Sequence, residues 1–337
     1  MDRTGPTADI ERLAGEVERH PDYRVLRRLD TSIEYPALTG PGISRAVILD
    51  TETTGMEPDT DKVIELGLVV FEYQRESGAV GRVLGSYNGL EDPGMAIPPE
   101  STAIHGITDE MVAGKRLDER AIAQLMEGVA LVIAHNAAFD RKFVEPRLPA
   151  FAALPWACSF REIAWDEAGI GSAKLEYLAY QYGFFYEGHR AEVDCRALLE
   201  VLRRDLAAGR APAAKTVALH EAAVHEPAAV ASAWRGMGEV RPTAFSQLLG
   251  RARELSYRVW ARGSDFDTKD VLKARQYRWN PEERCWWREL SAAEVDAELA
   301  WLKAAVYGGR SAAIDVETLD ARVRHSGRSG QRAKRIL

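Results

Sequence analysis

A strand pattern that ends in two carboxylates is the feature that most constrains this chain. The apolar run from Ala46 to Leu49 is followed directly by Asp50, Thr51 and Glu52. Because side chains alternate across a strand, Asp50 and Glu52 project from one face, close enough to share a cation. Carboxylates at the end of an apolar strand are rarely tolerated unless they are paired or metal-bound, and no basic residue lies between these two. The pattern therefore predicts a divalent-metal site, with a structural acidic pair as the alternative.

Two further segments place an acid beside an apolar element. The apolar run from Val129 to Ala134 leads through His135 and Asn136 to Asp140, near the start of a predicted helix. Farther along, His189 precedes Asp194, which lies in the first turns of another predicted helix with apolar residues at helical spacing. Three separate segments thus each supply an acid, as a metal centre assembled in space requires.

The order of these motifs resembles that of a known family. D-x-E-T-T-G, then H-N-x-x-F-D, then H-x-x-x-x-D is similar to the DEDDh-type 3′-5′ exonucleases, relatives of the proofreading epsilon subunit of bacterial DNA polymerase III. Residues 101–112 resemble the segment between the first and second motifs of that family. The resemblance covers residues 43–206 and implies a set of catalytic positions: Asp50, Glu52, Asp140, His189 and Asp194.

The resemblance also implies a role for each residue type. Asp50, Glu52, Asp140 and Asp194 would hold two Mg²⁺ or Mn²⁺ ions, which suit oxygen ligands and assist hydrolysis of a phosphodiester. His189 would take a proton from the attacking water, because the pKa of histidine lies near neutrality. The alternative for His189 is a polar residue that bonds the backbone before a helix.

A second set of residues matches family positions around the terminal nucleotide. Small or polar residues follow Glu52, and an aromatic ring in the second motif offers a surface for a sugar or base. Each of these side chains has the alternative of a core or loop-bonding role. The predicted substrate-binding residues are Thr53, Thr54, Gly55, His105, Asn136 and Phe139.

Charge and cysteine usage indicate the kind of protein. The formal net charge is −7, but residues 241–337 carry 19 Lys and Arg against 13 Asp and Glu, whereas residues 1–240 carry 25 against 38. The basic part is therefore the better candidate for holding a polyanion. Three scattered cysteines and a polar amino-terminal segment predict a cytoplasmic protein without a membrane span.

Element patterns predict the fold class and the domains. Three strand patterns in succession, followed by helices and a further strand, predict an α/β fold: a ribonuclease H-like mixed sheet flanked by helices, with a small α+β C-terminal module. The predicted segments are an N-terminal extension (1–42), the exonuclease domain (43–206), an Ala/Pro-rich linker (207–245), a Trp/Arg-rich module (246–310) and a basic tail (311–337).

The C-terminal module combines tryptophans with arginines. Trp279 and Trp286 are expected to fill its small core. Arginine and tryptophan together also favour binding of a single nucleic-acid strand. The possible nucleic-acid contacts are Arg275, Arg278, Arg284 and Arg288.

These features together predict a metal-dependent 3′-5′ exonuclease that releases nucleoside 5′-monophosphates from DNA, in repair or proofreading. Expected partners are a single strand or 3′ end of DNA, with RNA and a DNA polymerase as further possibilities. The alternatives are an RNA-trimming exoribonuclease and a polymerase-associated subunit with little turnover.

Overall fold

The computed structural model describes residues 6–206 and 242–337, in which two five-stranded sheets carry most of the structure. The first sheet has the order β4-β3-β2-β5-β6. β2, β3 and β4 pair antiparallel, whereas β2, β5 and β6 pair parallel, so the sheet is mixed. Its strands are β2 (Ile43–Thr53), β3 (Val63–Gln74), β4 (Val80–Leu90), β5 (Val129–Ala134) and β6 (Trp156–Cys158).

The first sheet is buried on both faces. Ala46 and Ile48 belong to one apolar cluster, and Val47 and Leu49 belong to another, as strand alternation requires. Helices cover both faces, which confirms the ribonuclease H-like mixed sheet predicted from the sequence. The helices up to residue 206 are α1 (Pro6–Glu18), α2 (Pro99–His105), α3 (Asp109–Val112), α4 (Glu119–Leu125), α5 (Ala137–Arg147), α6 (Ser159–Glu162), α7 (Leu175–Gln181) and α8 (Ala191–Leu202).

One glycine sets how closely α8 approaches the sheet. A Cβ atom placed on Gly67 of β3 would lie 2.3 Å from the backbone carbon of Ala191, the first residue of α8. Since no side chain other than hydrogen fits there, Gly67 allows the first turn of α8 to rest on the strand. This contact brings Asp194 to the end of β2.

The amino-terminal segment packs on this domain. A short strand, β1 (Arg27–Arg28), pairs in parallel with β7 (Phe184–Phe185) in the segment between α7 and α8. Within the described parts of the chain, no helix combines the length and apolar character needed to cross a bilayer.

The second sheet has the order β12-β11-β8-β10-β9. Its strands are β8 (Ser256–Trp260), β9 (Arg278–Asn280), β10 (Cys285–Ser291), β11 (Ala313–Leu319) and β12 (Gln331–Ile336). Two helices, α10 (Lys269–Ala274) and α11 (Ala292–Trp301), accompany it, and a π-helical turn (Leu302–Val306) continues the second. Tyr257, Trp286 and Leu290 pack in the apolar cluster under these helices.

Two expectations for this region need correction. Residues 311–337 are not a separate tail, because β11 and β12 lie within them and Ile314 and Val316 are in the core. Because β12 is rich in Arg and Lys, its composition is typical of a solvated tail rather than of a strand. Trp279 is 49% exposed, unlike the core residue expected, because it lies on the edge strand β9 and contacts only one side of Trp286.

The predicted boundary between linker and module falls inside a helix, and this helix packs on the first sheet. α9 (Ala244–Arg253) begins at Thr243, whose side chain accepts a hydrogen bond from the Ser246 N–H group. Phe245 is fully buried and makes edge contacts with Phe71 and Tyr73 of β3. The described core of the first domain therefore extends past residue 206. Residues 207–241 of the predicted linker lie outside the described residues.

Two buried arginines join the second sheet to the first domain. Arg141 of α5 is fully buried and donates to the backbone carbonyls of Arg322 and Arg324. Arg324, 4% exposed, pairs with Glu162 of α6 and donates to the Glu254 carbonyl. Because buried charges are costly unless paired, these bonds hold the two parts in one arrangement.

Candidate active site

Three carboxylates meet where β2 ends against α8. Asp50, Glu52 and Asp194 each offer an oxygen atom that lies within 4.8 Å of the others. The alternation of β2 turns Asp50 and Glu52 to one side, and the first turn of α8 supplies Asp194. The Arg190 N–H group donates a 3.0 Å hydrogen bond to Asp194, which orients that carboxylate. Each group can supply an oxygen ligand to a cation.

Asp140 lies beside this group but outside the closest set. It occupies the first turn of α5 and is 3% exposed. Its Oδ1 atom accepts hydrogen bonds from the Thr51 N–H group at 3.1 Å and the Thr51 hydroxyl at 2.9 Å. Thr51 points to the opposite side of β2 from Asp50 and Glu52, so its bonds hold Asp140 against the strand.

The carboxylates are held in an environment that disfavours their charge. Burial, with the neighbouring charges of Asp140 and Asp194, raises the pKa of Asp50 well above its usual range. Burial raises the pKa of Glu52 to about 8 and that of Asp140 to about 7. Burial likewise raises the pKa of Asp194 to about 6. A bound cation would relieve the repulsion among these carboxylates and stabilise their charged forms.

His189 lies at the rim of the site in the loop before α8. Its side chain is 52% exposed, and its Nε2 atom is 3.8 Å from the Glu176 carboxylate of α7. Its backbone has φ of 63°, in the left-handed region that few residues other than glycine adopt. Such a conformation persists only where surrounding bonds hold it, and it often marks a functional loop.

The two residues that follow His189 are bonded to Glu65, a residue that no sequence motif predicted. Glu65 of β3 is fully buried and lies directly opposite Glu52 in the β2–β3 register. Its carboxylate accepts from the Arg190 guanidinium, at 2.7 Å from Nη2, and from the Ala191 N–H group at 3.1 Å. Asn88 donates a further hydrogen bond at 3.1 Å. We call this arrangement, Glu65 with Arg190 and the Ala191 N–H group, the Glu65 clamp. A single acid inside the apolar stretch of β3 was the available signal.

The residues after Glu52 form a loop whose hydroxyls are used internally. The Thr53 hydroxyl donates to the Gly55 carbonyl at 2.6 Å. Thr54 is 1% exposed and its hydroxyl donates to Asp61. A Cβ on Gly55 would lie 2.5 Å from the Asp61 carboxylate, so a larger residue would displace that side chain. Nucleotide contact stays a prediction for Thr53, Thr54 and Gly55.

The other predicted pocket residues differ in exposure. His105 is buried, its Nδ1 atom accepts from the Ile107 N–H group, and burial lowers its pKa, so it is neutral at pH 7. Asn136 is exposed at the start of α5, where its side chain makes no capping bond. Phe139 is half-buried against Phe143, with ring centroids 4.9 Å apart. Asn136 and Phe139 thus remain open to a ligand next to Asp140.

The four arginines proposed for nucleic-acid contact fall into two pairs. Arg275 and Arg288 both bond the buried Glu298 of α11, at 3.1 and 3.0 Å, and so neutralise an internal charge. Arg278 and Arg284 are exposed and have no carboxylate within ion-pair distance among the described residues. Only the second pair keeps its charge available to a partner.

Known proteins similar to this chain are exonucleases and polymerase subunits. An exonuclease family model (RNase T) matches residues 47–202. The epsilon subunit of DNA polymerase III from Treponema pallidum is 33% identical over 162 residues, which are 45% of this chain and 72% of that protein. The PolC-type DNA polymerase III from Thermotoga maritima is 29% identical over 169 residues, which are 48% of this chain and 12% of that protein.

A solved structure of exonuclease X in complex with 5′ overhanging duplex DNA shares 27% sequence identity with the chain. The match has a TM-score of 0.35 and covers 46% of this chain and 88% of that one. The chain belongs to the DEDDh-type exonuclease family, whose members include the epsilon subunits of DNA polymerase III.

Proposed function

We propose that this chain is a metal-dependent 3′-5′ exonuclease that releases nucleoside 5′-monophosphates from DNA. The observation that carries the proposal is the meeting of Asp50, Glu52 and Asp194 within 4.8 Å of one another, beside Asp140. Neighbouring acids whose pKa values are raised by burial and by one another are typical of functional sites.

The donor atoms fit two hard divalent cations. All four side chains offer carboxylate oxygen, the ligand that Mg²⁺ and Mn²⁺ prefer, and no cysteine or histidine belongs to the closest group in the described residues. When bound, such ions would activate water and stabilise charge on the phosphate and the leaving oxygen. Asp50, Glu52, Asp140 and Asp194 are the residues that would hold them.

The remaining residues would move a proton and position the strand. His189 stands at the rim, where its exposed imidazole can accept a proton from the attacking water. The Glu65 clamp holds Arg190 and Ala191, the two residues that follow His189. Asn136 and Phe139, open beside Asp140, would contact the terminal nucleotide. The bond broken is that between the phosphorus and the 3′ oxygen of the preceding nucleotide.

DNA is proposed as the substrate on the names of the relatives. The T. pallidum and T. maritima proteins are named as DNA polymerase III components, and the exonuclease X structure is titled as a complex with duplex DNA. Association with a DNA polymerase is proposed on the names of the first two proteins, and a place in proofreading or repair is proposed on the family resemblance of the motifs.

Labelled substrates test polarity and substrate class together. The full-length protein is incubated with 5′-labelled and 3′-labelled single-stranded DNA, duplex DNA and RNA, in Mg²⁺, in Mn²⁺ and in EDTA. We expect 5′-labelled DNA to shorten one nucleotide at a time, 3′-labelled DNA to release labelled mononucleotide at once, and EDTA to stop both. Shortening from the 5′ end would contradict the polarity, and cleavage of RNA alone would favour the exoribonuclease alternative.

The metal assignment is tested by replacing Asp50 with Asn. The change removes a charge with almost no change in volume, so we expect nucleotide release to fall to the level measured in EDTA while the fold is kept. Asp296→Asn, an exposed acid on α11, is the matched control and should keep the wild-type rate. Wild-type turnover by Asp50→Asn in Mg²⁺ would overturn the assignment. Metal binding without any turnover in the wild type would favour a polymerase-associated subunit.

A further inference from the structure

A groove of about 1080 Å³ runs along the junction of the two described parts of the molecule. One wall is formed by α5 and α6 of the first domain, and the other by β8, β9 and β10 of the second sheet. Small-molecule pockets have volumes of roughly 300 to 1,000 Å³ and enclose their ligand. This groove is open and slightly larger than that range, so its shape suits an extended polymer.

Helix α5 contributes to both the groove and the carboxylate site. Ala138 and Lys142 line the groove from one side of α5, whereas Asp140, two residues from each of them, faces the other side. A strand whose end lies at the carboxylates would therefore pass around α5 to reach the groove. The buried pair Arg324 and Glu162 fixes the distance between the two walls.

The charges that line the groove are of two kinds. The carboxylates of Glu162, Glu254 and Glu289 are engaged by arginines of the same walls. By contrast, the cations Lys142, Arg161 and Arg278 are exposed, and none has a carboxylate oxygen within 4.0 Å among the described residues. Asp166 and Glu282 also line the groove. Three cations without an ion pair, from both walls, thus stand against two such acids, and this leaves the groove with a small excess of positive charge for an anionic partner.

An aromatic ring lies between those cations. Trp287 of β10 is half-buried in the groove, and the Arg278 guanidinium is 5.9 Å from its ring centroid. Register places Trp287 directly opposite Arg278, so both project from the face of the sheet that the helices leave uncovered. Stacking of bases on such rings, with arginine on the backbone, is how proteins hold a single strand without reading its sequence.

We propose that this junction groove binds the single strand whose 3′ end occupies the active site, with phosphates on Lys142, Arg161 and Arg278 and a base on Trp287. The inference rests on the proposed function and names where the rest of the substrate lies. The first domain supplies Lys142 and Arg161 to this surface, and the second sheet supplies Arg278 and the ring of Trp287.

The test neutralises the three cations in the full-length protein. Binding of a 5′-labelled strand of about 20 thymidines is measured in EDTA at several salt concentrations, so turnover plays no part. Each phosphate contact contributes about 0.7 to the slope of log K against log[salt] for single strands. The triple variant Lys142→Gln, Arg161→Gln, Arg278→Gln should therefore lower that slope by about 2 and weaken binding by about 10²-fold near 0.1 M salt.

A matched triple variant separates a site from a general charge effect. Arg116→Gln, Arg120→Gln and Lys303→Gln remove the same charge from exposed residues outside the groove and should leave the slope unchanged. Thermal unfolding of both triples checks that the fold is kept. Equal slopes for the groove variant and the wild type would overturn the proposal that the groove binds the strand. Equal losses of affinity in both triple variants would overturn it as well. Absence of turnover in Mg²⁺ would instead count against the proposed function, since binding in EDTA does not depend on it.

Discussion

Asp50, Glu52 and Asp194 repel one another when ionised, and this couples stability to pH and metal. Burial raises the pKa of Asp194 to about 6 and that of Glu52 to about 8. In the unfolded chain these groups titrate near about 4. The folded protein therefore binds their protons more tightly, so this contribution to stability is present below about pH 4 and is lost as pH rises toward about 8.

We expect the melting temperature of the metal-free protein to fall between about pH 5 and about pH 8. Mg²⁺ binds the deprotonated carboxylates, so the rise in melting temperature that it causes should be larger near pH 8 than near pH 6. Thermal unfolding in EDTA and in Mg²⁺ across this range measures both effects. Asp50→Asn should show a smaller dependence on Mg²⁺. A Mg²⁺ effect independent of pH would contradict the role given to these groups.

His189 combines an exposed imidazole with a left-handed backbone, and its replacement has to respect both. His189→Asn tolerates φ of 63° better than alanine and removes the base. If His189 takes the proton from water, kcat should fall by about 10²–10⁴-fold while the Mg²⁺-induced rise in melting temperature is kept. Loss of that rise would make His189 a metal ligand instead. His189→Ala serves as a second variant, with added backbone strain.

At the scale of elements, β3 holds the loop before α8 through the Glu65 clamp. Glu65→Gln keeps the volume but leaves the Arg190 guanidinium without its charged partner. Groups that orient a metal site typically change activity by about 10–100-fold when replaced. We expect a loss of kcat in that range with the Mg²⁺-induced rise in melting temperature unchanged.

The matched control for the clamp is Glu72→Gln on the same strand. Glu72 pairs with Arg82 at 3.2 Å, away from the carboxylates, so its loss should leave kcat at the wild-type value. Glu65→Asp should recover part of the activity, because it restores the charge. A drop in melting temperature without a change in kcat would make the clamp structural only.

At the scale of the whole molecule, α9 belongs to the core of the first domain although it lies beyond residue 206, where the sequence predicts that domain to end. Phe245 is fully buried against Phe71 and Tyr73. Phe245→Ala should lower the free energy of unfolding by about 3–5 kcal/mol. Phe266, in the part of the chain that carries the second sheet, is 77% exposed and serves as the control. Phe266→Ala should change the free energy of unfolding by less than about 1 kcal/mol. Urea unfolding measures both, and equal small effects would place α9 outside the core.

The strand that ends in Asp50 and Glu52 could be predicted from the sequence, because alternation along a strand is a local property. Helical spacing likewise indicated that Asp194 lies in the first turns of α8. The mixed sheet followed from the order of strands and helices, and the structure confirms it.

Only the tertiary structure decided which charges are neutralised and which stay available. Glu65 and Arg190 are 125 residues apart, and Arg275 and Arg288 are engaged by Glu298 on a neighbouring helix. The edge strand β12 and the attachment of α9 to the first sheet were equally hidden. Periodicity reports that a face is buried but not against what, and ion pairs between distant segments depend on packing that no local pattern encodes.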